Sequence, residues 1–222
     1  MKIKIFTIPN IITCFNLLMG CAALISAFRG ELKFAFWFIV AGAVFDFLDG
    51  LFARLLNQYS PVGKELDSLA DMVTFGTVPA VIMWQLLMPV AGANLALLGF
   101  LIAPMSALRL AKFNVDQRQT SEFIGLPTPA NAMFISSLVF LDFSIPCWVL
   151  VAITLFMSWL LVSEVPMFSL KFKGFGFAQN KLRYLFLLFV AVTVSLFGVG
   201  AVAFVLIAYI LVSIIRNLVL KK

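Results

Sequence analysis

The sequence predicts an all-α integral membrane protein, a bundle of about eight transmembrane helices with both termini in the cytoplasm. Three observations carry that expectation. Of 222 residues, 63% are hydrophobic and 12% charged, with a mean hydropathy of +1.10, more apolar surface than a soluble core of this size can hide. Apolar runs such as "IITCFNLLMGCAALISAF" and "AVAFVLIAYILVSII" approach the ~20 residues a helix needs to cross ~30 Å of hydrocarbon, and they lack the alternation of barrel strands. The basic residues fall between these runs, and with a cytoplasmic N-terminus only Arg29 and Lys33 lie outside, as the positive-inside rule requires.

Taken in order, the opening "MKIKIFTIP" reads as a short interfacial segment, expected to be retained because the first helix continues past any small-residue cleavage site. The spans are expected at 10 to 29, 34 to 57, 62 to 87, 92 to 112, 128 to 142, 146 to 163, 181 to 197 and 199 to 219. Ser60 before Pro61 and Thr128 before Pro129 each offer a capping side chain followed by a proline at the first helical position, where its missing N–H costs nothing. No linker, low-complexity tract or internal repeat divides the chain. We read one membrane domain over 1–222, its motif-bearing part covering about 1–130 and its C-terminal helices about 131–222. Cys14 and Cys21 are about 10 Å apart along one helix and cannot bridge; with Cys147 they read as apolar filling. The net charge of +6 lacks the basic, aromatic-interleaved blocks of a nucleic-acid binder, so no nucleic-acid partner is expected.

The stretch "DFLDGLFARLLNQYSPVGKELDSLAD" concentrates acidic charge: Asp46, Asp49, Glu65, Asp67 and Asp71 are five of the ten acidic residues. Asp46 and Asp49 are three apart near the end of the second span, and Asp67 and Asp71 four apart near the start of the third, so each pair shares a helix face. The short "NQYS" connection makes the two helices antiparallel neighbours and lets both pairs converge. Four unneutralised carboxylates in a low-dielectric cleft cost several kcal/mol each, so a cation belongs among them. Hard oxygen ligands select Mg²⁺, Mn²⁺ or Ca²⁺, and the chain has no histidine. Gly50, Ala53 and Gly63 would clear space beside the carboxylates, and Arg54 could meet a phosphate with its forked donors. Glu65 points away from the aspartate stripe, beside Lys64.

These residues spell Asp46, two residues, Asp49, Gly50, two residues, Ala53, Arg54, eight residues, Gly63, three residues, Asp67, three residues, Asp71. The pattern resembles the signature of the CDP-alcohol phosphatidyltransferase family at every defined position. That resemblance implies a membrane enzyme that displaces CMP from a CDP-linked lipid with an alcohol, using two divalent cations, Mg²⁺ or Mn²⁺. It implies metal ligation by Asp46, Asp49, Asp67 and Asp71, with Asp71 also the general base, and a CDP-lipid site at Gly50, Ala53, Arg54 and Gly63. The text "GKELDSLADMVTFGTVPA", "RLAKFN" and "GLPTPA" is similar to the phosphatidylserine-forming branch, whose substrates are CDP-diacylglycerol and L-serine. "IPNIITCFNLLMG" is similar to that branch's first helix and adds Asn10 and Thr13 to the nucleotide side. The resemblance further implies a homodimer in the bacterial cytoplasmic membrane, its active site at the cytoplasmic face among membrane lipids.

Arg109, Lys112 and Arg118 cluster at the cytoplasmic end of the fourth span, as topology anchors or as partners of an anionic substrate group. Arg109 and Lys112, three apart, are the candidates for the serine carboxylate or the lipid phosphate. Thr128 reads as a helix cap, and Lys171, Lys173, Lys181 and Arg183 as a solvated basic surface near anionic headgroups. Two alternatives stay open. A sibling enzyme using glycerol phosphate or inositol phosphate would need a richer basic pocket. A cation transporter would place its aspartates at the membrane midplane on broken helices.

Overall fold

The computed structural model describes residues 5–116, 118, 123–167 and 177–220, and in these it is almost entirely helical. The helices are α1 (Ile8–Phe28), α2 (Leu32–Leu55), α3 (Pro61–Asp71), α4 (Val78–Ala96), α5 (Ile102–Val115), α6 (Thr128–Ser137), α7 (Cys147–Val162), α8 (Phe177–Phe197) and α9 (Ala201–Leu220). Part of the expected interfacial segment (1–4), with Lys171, Lys173, Lys221 and Lys222, lies outside the described residues, and so do the side chains of Lys181 and Arg183.

Among the described residues, three stretches are long and apolar enough to cross a membrane: Ile8–Phe28, Leu32–Leu55 and the continuous Pro61–Val115. The third is two helical segments rather than one. Gly92, at φ 74° and ψ 168°, turns the chain in a conformation that residues with a Cβ rarely adopt. The halves on either side correspond to the expected third and fourth spans. Shorter apolar helices follow, among them Thr128–Phe140, in which a 3₁₀ turn (Leu138–Phe140) extends α6. At 1.5 Å per residue that helix rises only about 20 Å, less than the hydrocarbon thickness.

Local chemistry sets the helix starts. Thr7 caps α1 by accepting from the Asn10 N–H, with Pro9 in the first turn. Ser60 caps α3 as expected, its hydroxyl accepting the Gly63 N–H at 2.9 Å ahead of Pro61. Thr128 does not cap α6. The N-cap is Pro127 in extended geometry, and Thr128 is the first helical residue, 3% exposed. The reason lies in the preceding turn, where Gly125 at φ 79° lies against the carbonyls of Leu161 and Ser163, and Leu126 N–H bonds the Leu160 carbonyl. The helix therefore begins one residue earlier than a cap at Thr128 would allow. A two-residue antiparallel pair, β1 (Phe123–Ile124) with β2 (Pro166–Met167), joins the loop before α6 to the chain after α7.

A π-helical segment, Met72–Thr77, follows Asp71 where the sequence predicts an uninterrupted helix. A single extra residue per turn leaves no mark on hydrophobic periodicity, and such bulges gather at functional sites. α1 packs most extensively against α2 and also touches α3 and the π segment. One cluster of buried apolar side chains runs from Ala23 and Ile39 through Phe75, Ile82 and Ile102 to Ile135, Leu160 and Ile210. Cys14 and Cys21 are exposed on the outer face of α1 rather than filling the core.

Candidate functional site: a carboxylate cavity between α1, α2 and α3

The buried face of α1 carries Asn10, Thr13 and Asn16, then Gly20, at the three- and four-residue spacing of a single helix face. Each polar side chain on it has a specific task. Asn10 donates its amide to the Ile5 carbonyl at 2.8 Å and so holds the chain entering the helix. Thr13 donates to Asp49 Oδ2 at 2.6 Å, and Asn16 donates to Asp71 Oδ1 at 3.1 Å. α1 therefore orients one aspartate from each pair. Asn10 and Thr13 were legible in the sequence. Asn16 was not singled out, although three residues after Thr13 is where the same face continues.

Asp46, Asp49 and Asp67 each place a carboxylate oxygen within 4.8 Å of the other two. Asp71, one turn beyond Asp67, is buried at 8% exposure, with Asp46 and Asp67 as its charged neighbours. The two pairs converge as their spacing predicts, three of them in one tight group and the fourth turned toward Asn16. Among the described residues none of the four has an ion pair. Asp67 Oδ1 is buried without a hydrogen-bond partner among the same residues. The described residues supply no neutralising positive charge, and uncompensated carboxylates in such surroundings cost several kcal/mol each. An all-oxygen donor set with an orphaned buried oxygen fits a hard divalent cation.

A cavity of about 160 Å³ opens beside this group, lined by Asn10, Thr13, Asp49, Gly50, Ala53, Gly63 and Asp67, with Pro9, Gln58, Tyr59, Ser60 and Lys64 completing the wall. Two glycines create it in different ways. A Cβ on Gly63 would stand 2.9 Å from Asn10 Oδ1 and 3.1 Å from Ser60 Oγ, so Gly63 permits a close approach of α3 to α1. A Cβ on Gly50 would meet nothing nearer than Arg54 Nη2 at 3.9 Å, so Gly50 faces open space. Arg54 is exposed and folds back along α2, donating from Nε to the Gly50 carbonyl at 2.9 Å. It lies by the cavity without lining it. Lys64 lines the wall and donates to the Asn114 carbonyl at 2.6 Å, while the Asn114 amide donates to Ser68 Oγ at 2.8 Å. These bonds tie the end of α5 to α3. Glu65 is exposed, away from the aspartates.

Arg109 and Lys112 are not among the residues that line this cavity, and their surroundings differ from each other. Arg109 is 3% exposed, with its guanidinium carbon 5.3 Å from the Phe113 ring centre, Asp116 as a charged neighbour, and its Nε without a hydrogen-bond partner among the described residues. Lys112 donates to Glu164, which also meets Arg118, itself paired with Asp116. The Lys112 hydrogen bond holds the Glu164 carboxyl below its ordinary range. This exposed ion network joins the end of α5 to the chain leaving α7.

The comparisons with known proteins agree with this geometry. The family model for CDP-alcohol phosphatidyltransferase matches residues 6–163. A Bacillus subtilis protein named CDP-diacylglycerol–serine O-phosphatidyltransferase is 38% identical over 162 residues, covering 71% of this chain and 88% of the relative. A Mycobacterium leprae protein of the same name is 32% identical, covering 94% of this chain and 70% of the relative. One from Methanocaldococcus jannaschii is 37% identical, covering 60% of each. The chain belongs to the CDP-alcohol phosphatidyltransferase family.

Proposed function

We propose that the protein transfers the phosphatidyl group of CDP-diacylglycerol to the hydroxyl of L-serine, releasing CMP and forming phosphatidylserine. The observation that carries this reading is the convergence of Asp46, Asp49 and Asp67 next to a cavity walled by Asp49, Asp67 and the bare backbone of Gly50 and Gly63. The names of the relatives support serine as acceptor. In this reading Asp46, Asp49, Asp67 and Asp71 would hold two divalent cations, Mg²⁺ or Mn²⁺, and bound there these would supply positive charge to offset that of the pyrophosphate.

The chain's own residues do the rest. Gly50, Ala53 and Gly63 let the nucleotide approach the helices, Asn10 and Thr13 stand on its α1 side, and Arg54 lies at the phosphate end. Thr13 and Asn16 each donate a hydrogen bond to one aspartate and so fix the direction of its oxygens. Asp71 takes the proton from the serine hydroxyl as that oxygen bonds to the lipid-side phosphorus. The bond from that phosphorus to the bridging oxygen breaks, and CMP departs on the opposite side. Positioning and charge stabilisation supply the catalysis, as elsewhere in phosphoryl transfer.

The reading includes about eight membrane crossings with both termini cytoplasmic, in a bacterial cytoplasmic membrane, because that arrangement leaves only Arg29 and Lys33 outside. The diacylglycerol tails stay in lipid while CDP and serine reach the site from the cytoplasm. The working unit is a homodimer. The deciding experiment measures CMP release from CDP-diacylglycerol by the purified protein with Mg²⁺ or Mn²⁺ and serine, glycerol phosphate or inositol phosphate. Serine-dependent release is expected. Release only with a phosphate-bearing acceptor would replace serine, and no release with any acceptor would reject the reading.

A further inference from the structure

Among the described residues that line the aspartate cavity, Lys64 carries the only basic side chain, and it shares the wall with Asp49 and Asp67. Three residues before Asp67 on α3, it has the spacing to pair with that carboxylate along the helix. No such pair forms. Among the described residues neither Asp49 nor Asp67 has an ion pair, and the lysine donates instead to the Asn114 carbonyl at 2.6 Å. That carbonyl is itself held in place, because the Asn114 amide donates to Ser68 Oγ at 2.8 Å and Ser68 donates back to the Lys64 carbonyl at 3.3 Å. Lys64, Asn114 and Ser68 thus close a ring of hydrogen bonds between α3 and the end of α5. Arg54, the other basic residue close by, donates to the Gly50 carbonyl and stays outside the wall.

The ring keeps apart two charges that are close enough to cancel. Lys64 is exposed, and its ammonium sits on a flexible four-carbon stem that could otherwise fold back onto Asp67. Closed that way, the carboxylate would be spent on the chain's own cation, and the ammonium would be lost to any anion entering the cavity. A backbone carbonyl holds the ammonium without neutralising it. The bond to Asn114 also uses only one of the three donors of the group, which leaves two for an anion. The anion that the proposed reaction brings to this wall is a diphosphate, and lysine meets phosphate oxygens as a compact point charge. We propose that Lys64 contacts the diphosphate of the CDP-lipid, and that Asn114 and Ser68 are positioning residues that keep its ammonium off Asp67. The inference rests on the proposed phosphatidyl transfer and deepens it, by giving the CDP-lipid a cation on α3 and by assigning a task to two polar residues outside the aspartate motif.

The test is equilibrium binding of CDP to the full-length protein in detergent, with Mg²⁺ and no added phospholipid, so that a headgroup cannot supply the phosphate. Steady-state kinetics of CMP release follow. Lys64→Met is expected to weaken CDP binding about tenfold, the size of one charge-assisted hydrogen bond, and to raise the KM for CDP-diacylglycerol by a similar factor. The KM for serine should stay within about threefold, and competitive inhibition by cytidine, which carries no phosphate, should not change. Lys64→Arg keeps the charge and should bind CDP within about threefold of wild type. Asn114→Ala and Ser68→Ala each open the ring and are each expected to weaken CDP binding about threefold. Either serves as the readout if the other does not fold. In a Lys64→Met background neither should weaken it further, because both act through the lysine. A folded Lys64→Met protein with wild-type affinity for CDP overturns the proposal. So does an equal weakening toward cytidine, which marks general damage to the wall, or a rise confined to the serine KM, which marks a contact with the acceptor. A tenfold loss in Lys64→Arg as well overturns the role of the charge, and additive losses in the double variants overturn the positioning role of Asn114 and Ser68. A wild-type protein that binds no CDP overturns the reading of the cavity itself, and is recognised before any substitution is made.

Discussion

Replacing Gly20 with alanine perturbs the site without touching any residue that contacts substrate. The new Cβ would lie 2.4 Å from Thr74 Oγ1 and 3.1 Å from both the Cα and the N of Thr74. Rotating the threonine relieves the first contact but not the other two, which are backbone, so α1 and the π segment must move apart by a few tenths of an ångström or more. Asn16, one turn before Gly20 on the same face, holds Asp71 Oδ1 at 3.1 Å and accepts the Thr74 hydroxyl at its carbonyl, also at 3.1 Å. Separation of that size stretches both bonds toward or past the limit of a useful hydrogen bond. Overpacking of this kind costs about 1–3 kcal/mol, and misplacing a reacting group by up to an ångström lowers turnover roughly 10- to 100-fold. The expected result is a lower midpoint of thermal unfolding and a kcat for serine-dependent CMP release reduced by that factor. Adding Thr74→Ala removes the 2.4 Å contact but leaves the backbone contacts and forfeits the bond to Asn16, so recovery should be partial. The double variant should lose at least about 0.5 kcal/mol less than the two single effects summed. A Gly20→Ala protein with wild-type kcat and stability, or strict additivity with Thr74→Ala, would refute the claim that this close approach positions Asp71.

Other perturbations separate the roles of the remaining groups. Asp71→Asn keeps an oxygen for the Asn16 amide, so the protein should fold normally while turnover falls about 10²- to 10⁴-fold with loss of the base; near-normal turnover would remove Asp71 from that role. Gly63→Ala puts a methyl group 2.9 Å from Asn10 Oδ1 at the cavity wall and is expected to raise the KM for CDP-diacylglycerol at least about tenfold, with the serine KM little changed. Chelation with EDTA should abolish CMP release and added Mg²⁺ or Mn²⁺ restore it, with activity surviving exhaustive chelation as the contrary result. Glu164 has a folded-state pKa depressed by Lys112, so its contribution to stability is present above the unfolded value near 4.5 and is lost as the pH falls through the lower folded value. Glu164→Gln should thus lower the melting midpoint slightly at pH 7, by less than about 2 °C for so exposed a pair, and not at all well below pH 4. An equal deficit at both pH values would show that the glutamate acts other than by its charge.

What the sequence made legible follows from periodicity. Asp46 and Asp49 at three, and Asp67 and Asp71 at four, share faces by helical geometry alone, and a short connection leaves those faces little choice but to meet. Gly50, Ala53 and Gly63 followed because each lies on or beside the same stripe. The π segment after Asp71 was not legible because it adds one residue to a turn without altering composition, and the two-residue strand pair is too short to carry an alternation. Arg109 and Lys112 show where face arguments end. Three residues advance a helix by 300°, so two such positions are offset by about 60°. On α5 that offset separates a buried guanidinium from a lysine bound to Glu164. Which side of the boundary each occupies is decided by α7 and the segment after it, elements some fifty residues further along the chain that local periodicity does not contain. The same holds for Asn131. In α6 it is one of four polar residues, with Thr128, Ser136 and Ser137, and local periodicity does not show that both its amide atoms stay unpaired among the described residues. Carboxylates that sit together because the chain is locally helical can be read from sequence, whereas contacts between helices far apart in the chain have to be read from the fold.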